Sequence, residues 1–429
     1  MGQFETTISL EKLNGVQDRS EVLYLQIHSV EEAKDFFGPI TSAERAWRSE
    51  KYFDALMGSP RSRLGLGEHD RVEAYVFGNG AYPVRDDGAH KRHFPIHVKV
   101  MNIGELTLAP EEALDLSAHA DEFPWATGGK EIYLNVTIRK LTLSGHSRLI
   151  VRGNVFVLKC LQVHGCDLNG RQAIIELTGS GKEQYSVASY GPEAQSNLPD
   201  HGLDGFDGVP LTRESTPLGQ RLMRSTAINN GMPGAAGSRG RDGSIGANGA
   251  MLFLSDLRFG QITGFNNGSI LLKVGASSGF QGSAGGIGGD GGRGGNGASG
   301  ALTAFGMVEG CPGGEGGDGG DGGNGGIGGN GGLACDVFVS VPESHVNIFK
   351  IEATPSPGGN GGVGGNGGVG GKGGENGSFY QNKDAPGRPL DGANGGNGKA
   401  GRNGKTRPAP HVHIYERPST KMINLNKQN

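Results

Sequence analysis

The stretch GGEGGDGGDGGNGGIGGNGG, from Gly313 to Gly332, decides how the rest of the chain is interpreted. Fourteen of its twenty residues are glycine, the residue that loses the most backbone entropy when it becomes ordered. The other six occupy every third position. A flexible linker needs a glycine-rich composition but no phase. The strict period of three therefore predicts an ordered structure.

The same period recurs through the second half of the chain. Glycine occupies every third position in runs at 202–208, 231–249, 279–300, 310–331, 359–377 and 392–404. Three residues per turn is the period of polyproline-II geometry, which has no internal hydrogen bonds. Collagen shares this geometry but needs frequent proline, which these runs lack. We therefore predict polyglycine-II helices that hydrogen-bond to their neighbours, with a disordered segment and a collagen-like helix as the less favoured alternatives.

Apolar segments between the glycine runs are typical of β-strands. They lie at 250–255, 268–275, 335–342 and 345–353, and a last one follows at 410–416. The chain would thus leave a β base as one glycine helix and return to it as the next. Three such excursions, at 202–249, 279–332 and 358–404, predict a bundle of six helices.

The base itself is predicted from residues 96–179, where segment 135–145 resembles segment 154–165. A repeat of this kind indicates stacked strands of a β-solenoid or a small β-sandwich. Because successive side chains of a strand point to opposite faces, the pattern predicts one inward-facing row of apolar side chains and a second such row above it. The first row is Val136, Ile138, Leu141 and Leu143, and the second is Val155, Val157, Leu161 and Val163.

Residues 1–95 have the pattern of a small α+β region, with a strand at 21–28, a helix at 41–58 and a hairpin at 71–85. The predicted fold class is therefore mainly β, with this region, the base and the glycine bundle. We expect domains at 1–95, 96–200 and 201–409, followed by a final strand and tail at 410–429.

Composition limits the classes of partner. The net charge of −4 gives no basic surface for nucleic acid, and no apolar run approaches the roughly 18 residues of a membrane span. The N-terminus shows no Sec-type signal, so we expect cytoplasmic synthesis, with export by assembly or by a non-classical route left open. Four cysteines without a CxxC pair predict free thiols.

The most informative places for function are the loops where each excursion turns. These lie at 209–230, 301–309 and 378–391, and parallel excursions would bring them to one end. Aromatic and arginine side chains on a rigid scaffold are typical of binding sites. The candidate ligand-binding residues are Arg213, Arg221, Phe305, Met307, Phe379, Tyr380 and Arg388. Loops that only cap the bundle are an equal alternative.

Motifs for catalysis, cofactors and metals are scarce. No HExxH or kinase motif occurs, and we expect no catalytic residues, no cofactor and no metal site. His411 and His413 would share one face of the last strand, but two histidines need further ligands. Glu315, Asp318 and Asp321 are expected to form a solvated acidic ridge.

The glycine runs resemble those of polyglycine-II bundle proteins, above all the glycine-rich adhesins at the tips of phage long tail fibres. They are also similar to glycine-rich collagen-like bacterial proteins of unassigned role. The resemblance is architectural and covers about 200 residues. The adhesins imply receptor recognition by the loops between glycine runs, which here are 209–230, 301–309 and 378–391.

These observations predict a non-enzymatic structural or binding protein that presents its distal loops to a surface glycan or protein receptor. One alternative is an enzyme that acts on polysaccharide, with Asp167 and Arg171 on the solenoid face as candidates. Another is an architectural subunit that docks into a larger assembly through residues 1–95.

Overall fold

A computed structural model gives the structure of part of the chain. It describes residues 16–17, 21–37, 41–44, 46–47, 76–77, 94–179, 202–217, 219–223, 229–303, 306–381 and 387–417.

The described elements are mainly strands. Helix α1 spans Val30–Phe37, and two 3-10 turns span Ala120–Glu122 and Val346–Ile348. The strands are β1 Val16–Gln17, β2 Glu21–Ile27, β3 Ile96–Leu108, β4 Ala113–Asp115, β5 Ile132–Leu143, β6 Arg148–Arg152, β7 Val155–Gly165, β8 Gln172–Thr178, β9 Thr212–Thr216, β10 Gly219–Met223, β11 Ser255–Thr263, β12 Ser269–Gly275, β13 Ala301–Thr303, β14 Gly306–Val308, β15 Val337–Pro342, β16 Phe349–Ala353 and β17 Val412–Arg417. None of the described helices is both long and apolar enough to cross a bilayer.

Two sheets form the base. The larger sheet is mixed, with the order β1-β3-β5-β7-β11-β15-β17, and β2 also pairs with β3. Its strands from β3 to β17 are parallel, whereas β1 and β2 run antiparallel to β3. The smaller sheet is parallel, with the order β16-β12-β8-β6-β4. From β3 onward the chain alternates between the two sheets, apart from the small hairpins β9–β10 and β13–β14.

The core of the base lies between the sheets. The larger sheet contributes Val136 and Leu158, and the smaller sheet contributes Leu149, Ile175 and Leu272. A second apolar cluster includes side chains of the larger sheet together with Phe37 of α1. Burial on both faces explains apolar runs of the larger sheet such as Val155–Leu158, whereas β8 of the smaller sheet alternates.

The predicted inward-facing rows are half right. Val136, Ile138, Leu141 and Leu143 are buried between the sheets, but Val155 and Val157 belong to the second cluster, and Leu161 is 58% exposed. The observed register pairs Val136 with Leu158 and Leu141 with Val163. Because side chains alternate along a strand, a register error of one residue assigns them to the wrong face.

The described N-terminal elements contact the base. β2 pairs with β3 along its whole length, and α1 places Phe37 against Tyr133, with ring centroids 5.6 Å apart. Of the helix expected at 41–58, residues 42–44 and 46–47 are described and helical. Of the hairpin expected at 71–85, only Val76 and Phe77 are described, and they are helical rather than extended. Thr41 is described and precedes the helical residues, and its hydroxyl accepts from the Glu44 amide at 3.1 Å. The other residues of both predictions lie outside the described part.

The predicted bundle of six polyglycine-II helices is wrong. In the described part of the chain, no helix lies in a glycine run. The runs are segments that belong to no helix or sheet, and their glycine amides bond to other segments. The Gly320 amide, for example, donates to the Gly289 carbonyl oxygen at 2.8 Å. The period of three is nevertheless kept in the bonds between segments, because the donors are glycine amides three residues apart, such as those of Gly317, Gly320 and Gly323.

We call these segments the glycine array and number them 1 to 6, for residues 202–208, 229–250, 277–300, 310–332, 357–378 and 390–405. Antiparallel bonds join segments 1 to 2, 2 to 3, 3 to 4, 4 to 5 and 5 to 6. Parallel bonds join 1 to 3, 3 to 5, 2 to 4 and 4 to 6. This pattern arranges the array as two rows of three, the odd segments in one row and the even segments in the other.

The glycine pattern follows from the positions at which neighbouring carbonyl oxygens approach a segment. Segment 4 has four neighbours and reads Gly-Gly-X, because a Cβ at Gly316 would lie 1.9 Å from the Gly371 carbonyl oxygen and one at Gly317 would lie 2.0 Å from that of Ala235. Segment 6 has two neighbours and reads Gly-X-X. In segment 6, a Cβ at Gly395 would lie 2.0 Å from the Gly320 carbonyl oxygen, whereas a Cβ at Gly396 would meet only a side-chain oxygen at 3.3 Å.

Asn and Asp side chains bond many of the remaining amides. Asp318 and Asp321 accept from the amides of Ala393 and Gly396, both at 2.7 Å. These two carboxylates are therefore not a merely solvated ridge, as expected from the sequence, but link segment 4 to segment 6. Glu315 in the same row is exposed.

Candidate functional site

The three loops between paired segments begin at the same end of the array. The Gly208 amide donates to the Asn296 carbonyl at 2.7 Å, and the Ala298 amide donates to the Asn229 carbonyl at 3.0 Å. Next to them, the Gly300 amide donates to the Ser378 carbonyl at 2.7 Å. We call this face the loop end and number its loops 1 to 3, for 209–228, 301–309 and 379–389.

Loop 1 contains the hairpin β9–β10, which holds Arg213 and Arg221. Arg213 pairs in register with Leu222, and Arg221 pairs with Glu214. Both arginine side chains are exposed. The hairpin is rooted beside segment 3 but carries its arginines within its own two strands.

Loop 2 is the short hairpin β13–β14, in which Leu302 pairs with Met307. Partners in a ladder share a face, so these two side chains form an apolar pair, 73% and 44% exposed. The Thr303 hydroxyl closes the turn with a 2.7 Å bond to the Gly306 carbonyl. Phe305 lies outside the described residues.

Loop 3 is bonded directly to loop 2. The Gly310 amide donates to the Phe379 carbonyl at 3.3 Å, and the Gln381 amide donates to the Glu309 carboxylate at 3.1 Å. Phe379 is 49% exposed and has a φ of 63°, while Tyr380 is half-buried. The segment that carries Phe379 and Tyr380 is therefore bonded to the end of loop 2, the loop that carries Met307.

Arg388 lies at the root of loop 3 and is paired. Its guanidinium donates to the Asp391 carboxylate at 2.6 Å, and the same oxygen accepts from the Gly373 amide at 2.8 Å. The Gly373 hydrogen bond, assisted by the Arg388 charge, holds the pKa of Asp391 below its usual range. Arg388 thus stabilises the join between loop and array.

Exposed apolar side chains that sequence reasoning missed lie near loop 1. Phe206 and Leu203 occupy segment 1 and are 77% and 80% exposed, and Met223 on β10 is also exposed. No specific signal for them was present in the sequence, because other segments also carry exposed apolar residues, such as Ile245 and Val363. Exposed apolar side chains in a group indicate an interaction surface.

The alternative site on the base has a different character. Asp167 and Arg171 are exposed and lie at a turn in which Asp167 and Asn169 have positive φ values. The only described bond to the Asp167 carboxylate comes from the Cys166 thiol at 3.5 Å. This turn gives the polysaccharide enzyme hypothesis no acid–base pair.

A second group of functional side chains lies where segments 4 and 6 re-enter the base. Asp336, His411 and His413 bring their ligand atoms within 4.8 Å of one another. The sequence placed the two histidines on one face but missed Asp336, because the partner of β17 could not be identified before the strand order was known.

Comparison with protein-family models, with curated proteins and with solved structures found no match to this chain.

Proposed function

We propose that the protein is a non-enzymatic binding protein whose loop end engages a surface glycan or a protein receptor. The array supports this role because it joins six segments by backbone bonds and so fixes the roots of the loops. Loops 2 and 3 supply the contact surface, with Met307, Phe379 and Tyr380 at its centre.

The backbone conformation and the exposure of Phe379 are the observations that carry the proposal. Its backbone is left-handed, which costs an L-residue roughly 1–2 kcal/mol, and the residue is 49% exposed to water. Both features oppose folding, and glycine would avoid both. Strain held at an exposed loop is a recognised indication of function. Aromatic side chains are also frequent hot spots of binding interfaces.

The test compares Phe379→Gly with the wild-type chain for binding to a glycan array and to whole cells. Glycine adopts a φ of 63° without strain, so we expect the variant to be at least as stable while binding is lost. Val363→Ala is the matched control, because Val363 is an exposed apolar residue on the side of the array. Unchanged binding by Phe379→Gly would exclude the loop end as the site.

A further inference from the structure

A cluster of three metal-ligand side chains connects the last two strands of the larger sheet. β15 and β17 are parallel, with Val337 paired to Val412 and Phe338 to His413. Extending this register by one residue places Asp336 beside His411. The three side chains therefore share one face, and their ligand atoms lie within 4.8 Å of one another.

The site is closed on one side and open on the other. The Asp336 side chain is 2% exposed, and its carboxylate lies 3.0 Å from Nε2 of His413. The His413 ring stacks on Phe338, with centroids 5.2 Å apart and an interplanar angle of 26°. His411 is exposed. The apolar side orients His413, while the exposed side gives an ion a path to the site.

The donor set selects the kind of ion. Two imidazole nitrogens and one carboxylate oxygen suit Zn²⁺ and neighbouring divalent transition metals, whereas Ca²⁺ and Mg²⁺ prefer oxygen ligands. Tetrahedral zinc would hold these atoms about 3.3 Å apart. The Asp336–His413 separation of 3.0 Å is already close to that, and a rotation of the exposed His411 ring can bring in the third ligand.

We propose that Asp336, His411 and His413 form a binding site for Zn²⁺ or a similar divalent transition metal. β17 is the edge strand of the larger sheet and pairs only with β15 among the described strands. Asp336 follows segment 4, and His411 follows segment 6. The metal therefore fastens the edge strand to its neighbour at the root of the array. This role is independent of ligand binding at the loop end.

The experiment titrates the metal-stripped, full-length protein with Zn²⁺ by calorimetry and follows amide exchange of residues 412–417. We expect one equivalent of Zn²⁺ to bind and exchange in β17 to slow. His411→Ala should weaken binding by at least about tenfold, since even outer-shell changes at metal sites cost 10–100-fold. Co²⁺ should give the visible absorption of a nitrogen- and oxygen-ligated site, and His411→Ala should reduce it.

Two further variants make the result decisive. His164→Ala removes a histidine of β7 that bonds to Thr263, and it should bind Zn²⁺ like the wild type. Asp336→Asn keeps the side-chain shape and should also weaken binding. Because His411 is exposed, its replacement by alanine should leave the fold intact. If Asp336→Asn does not fold, His411→Ala therefore still tests whether these residues bind Zn²⁺. The proposal is overturned if the wild type binds no Zn²⁺, or if His411→Ala binds as tightly as the wild type.

Discussion

The base and the glycine array are stabilised by opposite means. In the base, side chains such as Leu134, Phe156 and Leu257 are fully buried, and the removal of apolar surface from water is the main favourable term. In the array, the interior holds backbone. The space that a Cβ of Gly320 would occupy contains the Ser238 carbonyl oxygen, 2.0 Å away.

The two regions consequently place different demands on the sequence. The base needs apolar residues of about the right size, and such cores tolerate volume-conserving exchange. The array needs glycine at its contact rows and accepts Val, Lys, Glu or Asn in the outward row of segment 5. Its hydrogen bonds each contribute only about 0.5–1.5 kcal/mol, so its order rests on many of them acting together.

The largest effect is expected from a cavity in the base. Phe156→Ala should lower the free energy of unfolding by about 3–5 kcal/mol, because the ring is fully buried between the sheets. Denaturant titration measures this loss, and Phe156→Leu should lose clearly less. An equal loss in both variants would mean that packing volume does not stabilise the base.

The second effect separates backbone contact from composition within the array. Gly395→Ala should destabilise segment 6 by on the order of 1–3 kcal/mol, the usual cost of overpacking, because its Cβ would meet the Gly320 carbonyl oxygen at 2.0 Å. Gly396→Ala should be near neutral, since Gly396 is exposed. Amide exchange of residues 390–405 measures both. Equal exchange rates in the two variants would show that the contact row is no more constrained than its neighbour.

Much of the difference between the base and the glycine array could be predicted from the sequence. The phase of glycine in 310–332 predicts close approach of neighbouring segments, because only glycine leaves room for a carbonyl at every third position. The apolar segments at 268–275 and 335–342 coincide with β12 and β15. The type of local structure did not follow, since a period of three fixes the spacing of the bonds to neighbouring segments and not the conformation within a segment.

Other features depend on tertiary placement and could not be predicted. A strand is expected at 250–255, but the observed strand β11 starts only at Ser255. Its limits are set by pairing with β7 rather than by local composition. The difference between Gly-Gly-X and Gly-X-X segments is visible in the sequence, but its meaning required the neighbours to be known. The domain boundaries, and the role of the loop residues in binding, stay predictions.

A smaller effect is expected from the side chains that supplement the backbone bonds. Asp321→Ala removes the acceptor for the Gly396 amide and should cost about 1 kcal/mol, typical of one hydrogen bond. Asp321→Asn retains an oxygen acceptor and should cost less. Exchange of the Gly396 amide in the three proteins measures the difference. Equal protection with alanine would indicate that water replaces the carboxylate without loss.

The last effect depends on pH and concerns charge, which the base buries in part and the array keeps at its surface. Burial, and then the Arg258 charge, lowers the pKa of Lys159 from its usual 10.5 to about 8, although Asp256 opposes the shift. Between these values the unfolded chain holds a proton that the folded protein has released, so stability from this group rises with pH. Below about pH 8 its full penalty is present.

Lys159→Met should therefore be more stable than the wild type at pH 7, and the difference should shrink as the pH rises from 8 to 10. Denaturant titrations of both proteins across this range measure it, and taking the difference removes the titration of other groups. Lys399→Met, an exposed position of segment 6, is the matched control and should show no such trend. A constant difference for Lys159→Met would mean that the methionine acts through packing alone and that the lysine is fully solvated in the folded base.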